Sequence, residues 1–361
     1  MNLVIRNTRL IDGTGTDPQA RVSLEVTNGV ISWVGEETAR PRSRGHLEDI
    51  NGEGLTLIPG MIDCHEHFSG NGGLDNMDRL LGDSAEVFTL KAMDNARRAL
   101  MSGVTSARDV GSRFGVSIKV AQATASGAAL GPRILAAGEW LQFPGTWPAA
   151  LTRLTESRED LILAIREMIE RGAGLIKVGA NGRRPDGEFY GTIGVEILEA
   201  AANTAHEAGL KIAAHCLGAE AARQAAEAGV DSIEHGTHLE GETVRLMAEK
   251  GIYYVPTMSP WVMPHHLEKI SGASAESVAF REGMRDANRA SFRLAMDAGV
   301  KIATGTDAGG SHARHGFIVQ EIEYMVDAGM SPKAAVESST REAANLLGIQ
   351  DQVGTIEVGK Q

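Results

Sequence analysis

The 361-residue sequence is poor in several features, and each shortage makes a class of protein less plausible. It has two cysteines, Cys64 and Cys216, each inside an apolar run, which indicates buried thiols in a reducing cytoplasm rather than a disulfide framework. No apolar run approaches the about 18 residues of a membrane span, and the amino terminus lacks the pattern of an export signal. We therefore expect a cytoplasmic protein with no membrane partner.

Basic residues are also scarce. The chain has 35 Lys and Arg against 47 Asp and Glu, for a formal net charge of -12. A nucleic-acid-binding protein would need a clustered basic face, so we expect no nucleic-acid partner. The sequence has no internal repeat and no low-complexity segment.

Strand-like and helix-like segments alternate along most of the chain. Apolar runs of four to seven residues are followed by longer Ala-, Glu- and Arg-rich stretches with helical spacing. This alternation predicts an α/β fold, a (β/α)8 TIM barrel, for which about 250 residues are sufficient. The remaining length predicts a small accessory unit.

The predicted domain bounds are residues 1–56, 57–349 and 350–361. The first range reads as short strands with a hairpin at Asn28–Gly29, the second as the barrel, and the third as the start of a return to the small β unit. Within these ranges we predict an eighth barrel strand over 301–307, one helix over 332–347 and a strand over 353–358.

Several predicted barrel strands end at residues that can bind a metal ion. These residues are His65, His67, Lys177, His215, His235 and Asp307. Because the carboxyl ends of barrel strands meet at one rim, we expect the six side chains to converge. His65 and His67 share one face of a strand, since side chains alternate with a period of two.

The same runs resemble the metal-dependent amidohydrolase superfamily, most closely its prolidase-like and Xaa-Arg carboxypeptidase-like branch. They read LIPGMIDCHEH at 57–67, IKV at 176–178, AH at 214–215, IEHG at 233–236 and GTDAG at 305–309. TREAA at 340–344 and GTI at 354–356 extend the resemblance almost to the end of the chain.

This resemblance implies two divalent metal ions, zinc being the expected one. His65 and His67 would hold the more buried ion, His215 and His235 the outer one, and Lys177 would bridge both after carboxylation by CO2. Asp307 would bind metal and act as the catalytic proton shuttle. The resemblance further implies a homo-oligomer and a small β-sandwich built from both termini, whose last strands are missing here.

Other polar and aromatic residues near the rim are candidates for the substrate. Tyr190 could donate a hydrogen bond to the scissile carbonyl, and Arg183 and Arg184 could bind a carboxylate. The further candidates are His238, His312, His315, Trp140, Trp147 and Trp261, each of which could instead be a packing or solvated residue. Asp63 and Asp109 are expected to orient ligands or to stabilise the barrel.

The sequence therefore predicts an amidohydrolase that cleaves an amide-type C–N bond in a small molecule, because a bound metal can lower the pKa of water from 15.7 to about 7. A dipeptide of the Xaa-Pro kind or an N-acyl amino acid is the expected substrate. Glu139–Trp147 replaces the Gly-His-Gly segment of many prolidase-like members. An aryl carbamate, a phenylurea or a cyclic amide, as in imidazolonepropionases, is therefore the alternative substrate class. A non-enzymatic binding barrel is the remaining alternative.

Overall fold

The computed structural model describes residues 2–41, 48–72, 82–145, 152–262, 274–310 and 313–361. The chain divides into two compact units, Met1–Ile62 with Ser331–Gln361, and Asp63–Met330. Residues 331–349, which the sequence places in the barrel domain, thus group with the amino-terminal strands.

The first unit is built on a five-stranded sheet with the order β3-β2-β1-β4, in which β5 also pairs with β1. The β1–β2 and β2–β3 pairs are antiparallel, whereas β4 and β5 run parallel to β1. Positive φ angles at Asn28 and Gly29 form the tight turn between β2 and β3, which confirms the predicted hairpin. The strands are β1 Leu3–Leu10, β2 Gln19–Thr27, β3 Val30–Glu36, β4 Glu48–Asn51 and β5 Thr56–Leu57.

Two predictions for the carboxyl-terminal segment were wrong. The single helix predicted over 332–347 is two helices, because the hydroxyls of Ser339 and Thr340 both donate to the Val336 carbonyl and compete with the helical backbone bonds. The predicted strand over 353–358 consists of bends and irregular backbone. Its neighbours at 359–360 still bond to the Ile31 backbone, so the segment touches β3 without forming a ladder.

The second unit contains the parallel strands of the predicted barrel. One sheet has the order β6-β7-β8, and a second has the order β10-β9-β11-β14-β15-β16. Segment 301–308 lies between β16 and β6, with Ala303 N donating to Tyr254 O at 3.0 Å and Cys64 N to Thr304 O at 2.9 Å. On the other side, Gly174 N donates to Ala136 O at 2.8 Å and links β8 to the start of β11.

These bonds connect eight successive parallel segments in the order of a (β/α)8 fold, and the mixed α/β class is confirmed. The strands are β6 Met61–Glu66, β7 Val104–Asp109, β8 Arg133–Ala136, β9 Trp140–Gln142, β10 Thr152–Leu154, β11 Leu175–Gly179, β12 Asn181–Arg183, β13 Phe189–Gly191, β14 Lys211–Leu217, β15 Ser232–Thr237 and β16 Tyr253–Val255.

Helices follow most of the strands. Serine caps begin three of them, since Ser157 accepts from Asp160 N, Ser274 from Ser277 N and Ser331 from Ala334 N. The helices are α1 Ala85–Met101, α2 Val116–Ala125, α3 Arg158–Glu170, α4 Val195–Glu207, α5 Ala219–Ala228, α6 Gly241–Lys250, α7 Ala275–Asp297, α8 Ile318–Asp327, α9 Pro332–Ser338 and α10 Arg341–Leu347. None of the helices in these described ranges is both long and apolar enough to cross a bilayer.

The rim of this unit departs from the prediction in two places. The eighth strand is reduced to isolated bridges, Ile302 to Tyr254 and Ala308 to Glu66. The segment after β11, where the sequence analysis names no strand, forms the antiparallel β12–β13 hairpin. Its turn carries Pro185-Asp186-Gly187, a turn signal that was present in the sequence.

Candidate metal centre

His65 and His67 at the end of β6 face the same space. Their ring centroids are 5.4 Å apart, while Glu66 between them turns away and binds His315. Backbone bonds fix this stretch to the eighth segment, since Asp307 N donates to His65 O and His67 N donates to Ala308 O. Strand alternation thus puts both imidazoles beside Asp307.

The remaining ligand candidates gather around these two rings. Ligand atoms of His65, His235 and Asp307 all lie within 4.8 Å of one another, which is close enough to hold one metal ion. Asp307 Oδ1 is 3.6 Å from His65 Nε2 and 3.5 Å from His67 Nε2. The His215 ring centroid is 4.4 Å from that of His235.

Three of the histidines use their Nδ1 atoms to bind the protein. His65 Nδ1 lies 2.6 Å from Glu234 Oε2, and His67 Nδ1 lies 2.7 Å from Gly111 O. Both partners are acceptors, so Nδ1 carries the hydrogen and Nε2 keeps its lone pair. His235 Nδ1 lies 2.6 Å from Thr257 Oγ1. Such partners orient metal-binding imidazoles and set their tautomers.

Lys177 and His215 are buried without such partners. Lys177 is 0% exposed and its Nζ has no hydrogen-bond partner among the described residues; the same holds for both ring nitrogens of His215. In particular, Lys177 Nζ makes no hydrogen bond to Asp307. Unsatisfied buried polar groups are costly, so a ligand that satisfies these atoms would stabilise the site.

Burial controls the protonation of the cluster. It lowers the pKa of His65, His215 and His235 well below the ordinary value and that of His67 to about 3. These rings are therefore neutral in neutral solution and can donate lone pairs to a metal. Burial also lowers the pKa of Lys177, which favours the neutral amine, the form that can attack CO2.

A buried ion pair lies next to His65. Glu234 accepts from His65 on one oxygen and from Arg108 Nη2, at 2.7 Å, and Ser232 Oγ, at 2.5 Å, on the other. Arg108 also donates to the Cys64 carbonyl, so its charge is compensated inside the barrel. Sequence reasoning missed Glu234, because strict alternation would turn it away from the face that His235 occupies.

The backbone conformation of two ligand candidates, His235 and Asp307, explains how side chains adjacent in sequence can point to the same side of a strand. His235 and Asp307 have φ angles of 66° and 55°, in the left-handed region that non-glycine residues seldom adopt. At β15 the pairing register shifts at this point, which breaks the alternation and lets Glu234 and His235 both reach the cluster. Strained backbone of this kind is concentrated at functional sites.

Asp63 and Asp109 hold the strand ends. Asp63 Oδ1 accepts from the backbone N of His65 and of Thr306, and its Oδ2 accepts from Thr306 Oγ1 at 2.6 Å. Asp109 accepts from the backbone N of Phe68 and Gly111. Both carboxylates thus orient the segments that carry His65, His67 and Asp307.

Trp140 lies against the ligands and is 3% exposed. Its ring centroid is 4.8 Å from that of His215 and 6.1 Å from that of His67, and Lys177 Nζ lies 5.2 Å from it. Gly179 makes room for the indole, since a Cβ there would be 2.9 Å from Trp140 Nε1. The Trp140 indole therefore covers one side of the cluster of ligand candidates.

The other substrate candidates are distributed around the rim. Both ring nitrogens of His315 are engaged, with Glu66 and the Gly70 carbonyl, so this buried imidazole has no free nitrogen for a substrate. Trp261 is buried in an apolar cluster, and Tyr190 pairs with Gly182 in the hairpin. The rest are exposed on the rim, namely Arg183, Arg184 and His238. His312 and Trp147 lie outside the described residues.

Comparisons with known proteins agree with this geometry. Residues 56–361 match the Amidohydrolase family. Ochratoxinase from Aspergillus niger is 30% identical over 377 residues, which cover 94% of this chain and 75% of that protein.

Two solved structures share the whole fold. A Xaa-Pro dipeptidase with bound methionine in the active site is 30% identical with a TM-score of 0.86, covering 100% of this chain and 92% of that one. A prolidase complexed with N-methylphosphonate-L-proline is 26% identical with a TM-score of 0.87, covering 100% and 91%. The chain therefore belongs to the amidohydrolase family, and it is a hydrolase that acts on carbon–nitrogen bonds.

Proposed function

We propose that this hydrolase uses two divalent metal ions of the zinc type to cleave the amide bond of a dipeptide, of the Xaa-Pro kind, or of an N-acyl amino acid. One observation carries the proposal. Six buried side chains lie at the strand ends, where ligand atoms of His65, His235 and Asp307 come within 4.8 Å of one another. Among the described residues, Lys177 Nζ and both ring nitrogens of His215 have no hydrogen-bond partner.

In this proposal the residues are divided between two ions. His65 and His67 would hold one ion and His215 and His235 the other, with Asp307 contributing to the first. Lys177 would bridge them after its amine takes up CO2, which converts a poor cationic ligand into an anionic one. The isolated Nζ of Lys177 and the two unpartnered nitrogens of His215 support this arrangement.

Bound metal ions would supply a water molecule of lowered pKa and would polarise the substrate carbonyl. The protein's own contribution centres on Asp307. Its carboxylate lies 3.5–3.6 Å from two imidazoles and is 6% exposed, in a position to take a proton and return it to the leaving nitrogen. Asp63 and Glu234 fix the groups around it.

The relatives support amide substrates. A Xaa-Pro dipeptidase and a prolidase share the fold at 26–30% identity, and a protein named ochratoxinase aligns along most of the chain. Imidazolonepropionase from Aromatoleum aromaticum is 36% identical, but over only 18% of this chain, so a cyclic amide is less well supported.

Hydrolysis of a substrate panel tests the proposal. Protein purified without chelator is offered Xaa-Pro dipeptides, N-acyl amino acids, phenylureas and cyclic amides. We expect release of an amino acid from the first two classes, loss of this activity with a chelator, and its return with Zn2+. Turnover confined to phenylureas or cyclic amides, or turnover that survives metal removal, would contradict the proposal.

A further inference from the structure

The ligand candidate His235 has an unusual backbone conformation that its surroundings must maintain. Its φ angle of 66° lies in the left-handed region, which a non-glycine residue keeps only where the structure around it enforces it. Its ring bonds to Thr257, whose Oγ1 lies 2.6 Å from His235 Nδ1, and Thr257 also has a positive φ, of 44°. Both partners of this hydrogen bond therefore depend on other groups for their position.

Two buried donors bind the His235 carbonyl. Tyr254 Oη donates to it at 2.9 Å, and Asn288 Nδ2 donates to it at 3.1 Å. Tyr254 is 0% exposed and Asn288 is 1% exposed. Gly236 makes room for the tyrosine ring, since a Cβ there would lie 2.6 Å from Tyr254 Cε2. The peptide group that follows His235 is thus held from two sides, by β16 and by α7.

The same Asn288 amide also reaches the segment that carries Thr257. Its Nδ2 donates to the Pro256 carbonyl at 2.8 Å, which belongs to the peptide group just before Thr257. On the other side of Thr257, Glu321 of α8 accepts from the next two backbone N–H groups. One side chain of α7 therefore ties the end of β15 at His235 to the backbone of the residue that binds its ring.

Loss of the Asn288 amide would leave the Pro256 carbonyl without this donor and the His235 carbonyl with one donor instead of two. Unsatisfied buried carbonyls are costly, so the backbone on both sides of the ring contact would shift. Ser291 provides a matched control on the same helix. It is 2% exposed, and its Oγ accepts from Leu239 N at 2.9 Å, four residues beyond His235.

We propose that Asn288 and Tyr254 are positioning residues for the metal ligand His235. They hold its backbone so that Nδ1 meets Thr257 and Nε2 is left for the metal, and they act on the metal only through this ligand. The inference rests on the proposed function in one respect, that His235 binds zinc. It extends that function by naming the groups outside the cluster that set the position of this ligand.

Zinc affinity tests the assignment. Titration against a chromogenic chelator gives the zinc Kd of the wild type, Asn288→Leu, Tyr254→Phe and Ser291→Ala. We expect the Kd of one zinc equivalent to rise roughly tenfold or more in Asn288→Leu and roughly threefold or more in Tyr254→Phe, and to stay unchanged in Ser291→Ala. Tyr254→Phe keeps the ring, so it tests the hold on the carbonyl even if Asn288→Leu does not fold. Wild-type affinity in both variants, or an equal loss in Ser291→Ala, overturns the proposal.

A double-mutant cycle separates positioning from a general loosening of the fold. Thr257→Val alone removes the partner of the His235 ring. Because Asn288 acts through the same contact, Asn288→Leu should raise the zinc Kd by a smaller factor in the Thr257→Val background than in the wild type. Effects of the two substitutions that simply multiply overturn the proposal.

A readout without metal distinguishes this inference from the proposed function. NMR of metal-free protein that contains isotope-labelled histidine reports the ring nitrogens of His235, which are assigned by their loss in His235→Asn. The Nδ1 resonance should move in the same direction in Asn288→Leu and Thr257→Val, and stay in place in Ser291→Ala. This result, together with a wild type that binds no zinc, would keep the positioning of His235 and remove the proposed function. An Nδ1 resonance that is unchanged in Asn288→Leu overturns the inference.

Discussion

Single residues in the candidate metal centre are oriented by hydrogen bonds that the sequence did not predict. His235 is oriented by Thr257, which has a φ angle of 44° and is fully buried. His65 is oriented by Glu234, which is itself paired with Arg108. These partners make the imidazoles rigid ligands, and their loss should affect metal binding before it affects the fold.

Thr257→Val tests this dependence, because it keeps the side-chain shape and removes the hydroxyl. We expect metal affinity to fall roughly 10- to 100-fold, as found when the partners of metal-binding histidines are lost. Titration of metal-free protein against a chromogenic chelator measures the change. Thr243→Val is the control, since Thr243 is buried and its hydroxyl has no partner among the described residues. Equal affinities for both variants would contradict the assigned role of Thr257.

Asp307→Asn separates metal binding from proton transfer. The amide oxygen can still bind a metal, but the side chain can no longer accept a proton from water. We expect kcat to fall roughly 10²- to 10⁴-fold, while elemental analysis finds nearly the wild-type amount of metal. A loss of metal in proportion to the loss of turnover would show that Asp307 acts as a ligand alone.

At the level of elements, strand β11 requires a glycine at its last position, Gly179. Gly179 faces Trp140, and a Cβ there would lie 2.9 Å from the indole Nε1 and 3.1 Å from Gln142 Cβ. Gly179→Ala must therefore displace the indole that packs on His215. We expect lower thermal stability and at least tenfold weaker metal binding, measured by calorimetry. Gly194→Ala, where a Cβ would meet open space, should leave metal binding unchanged.

Helix α8 is tied to the segment after β16 by one carboxylate. Glu321 accepts from Met258 N, Ser259 N and Ser259 Oγ, at 2.7, 2.8 and 2.6 Å. Burial raises its pKa from the ordinary value of 4.5 to about 7. The folded state thus binds this proton more tightly than the unfolded state, so the stabilisation is complete below pH 4.5 and is lost as the pH rises through about 7.

Glu321→Gln removes this titration. The free energy of unfolding of the wild type, minus that of the variant, should decrease by about 3 kcal/mol between pH 4.5 and 8. Urea unfolding of metal-free protein across this range measures the difference. Glu323→Gln, on the exposed side of the same helix, provides the reference. A difference that is constant or increases with pH would show that Glu321 is charged in the folded protein.

At the scale of the whole molecule, the parallel strands and the helices could be predicted from the sequence. Strands and helices have different apolar periodicities, and the residues that cap a helix are close to it in sequence. It did not predict the break between α9 and α10, since side-chain hydroxyls competing with helical bonds leave no periodic signal.

The ligand candidates were identifiable because they follow strand ends in a fixed order. Glu234 was not identifiable as a partner of His65, because its position depends on a backbone φ of 66° at the next residue. The position of Trp140 beside the ligand candidates depends on ring contacts between residues far apart in sequence, which alternation cannot predict.

Metal content per chain is the most direct test of the proposed binuclear centre. Elemental analysis is carried out on wild-type protein and on Lys177→Ala, both purified without chelator and with bicarbonate present. We predict about two equivalents of a zinc-type metal in the wild type and one or fewer in the variant, because the variant lacks the bridging carbamate. One equivalent in both proteins, or none in the wild type, would contradict the account.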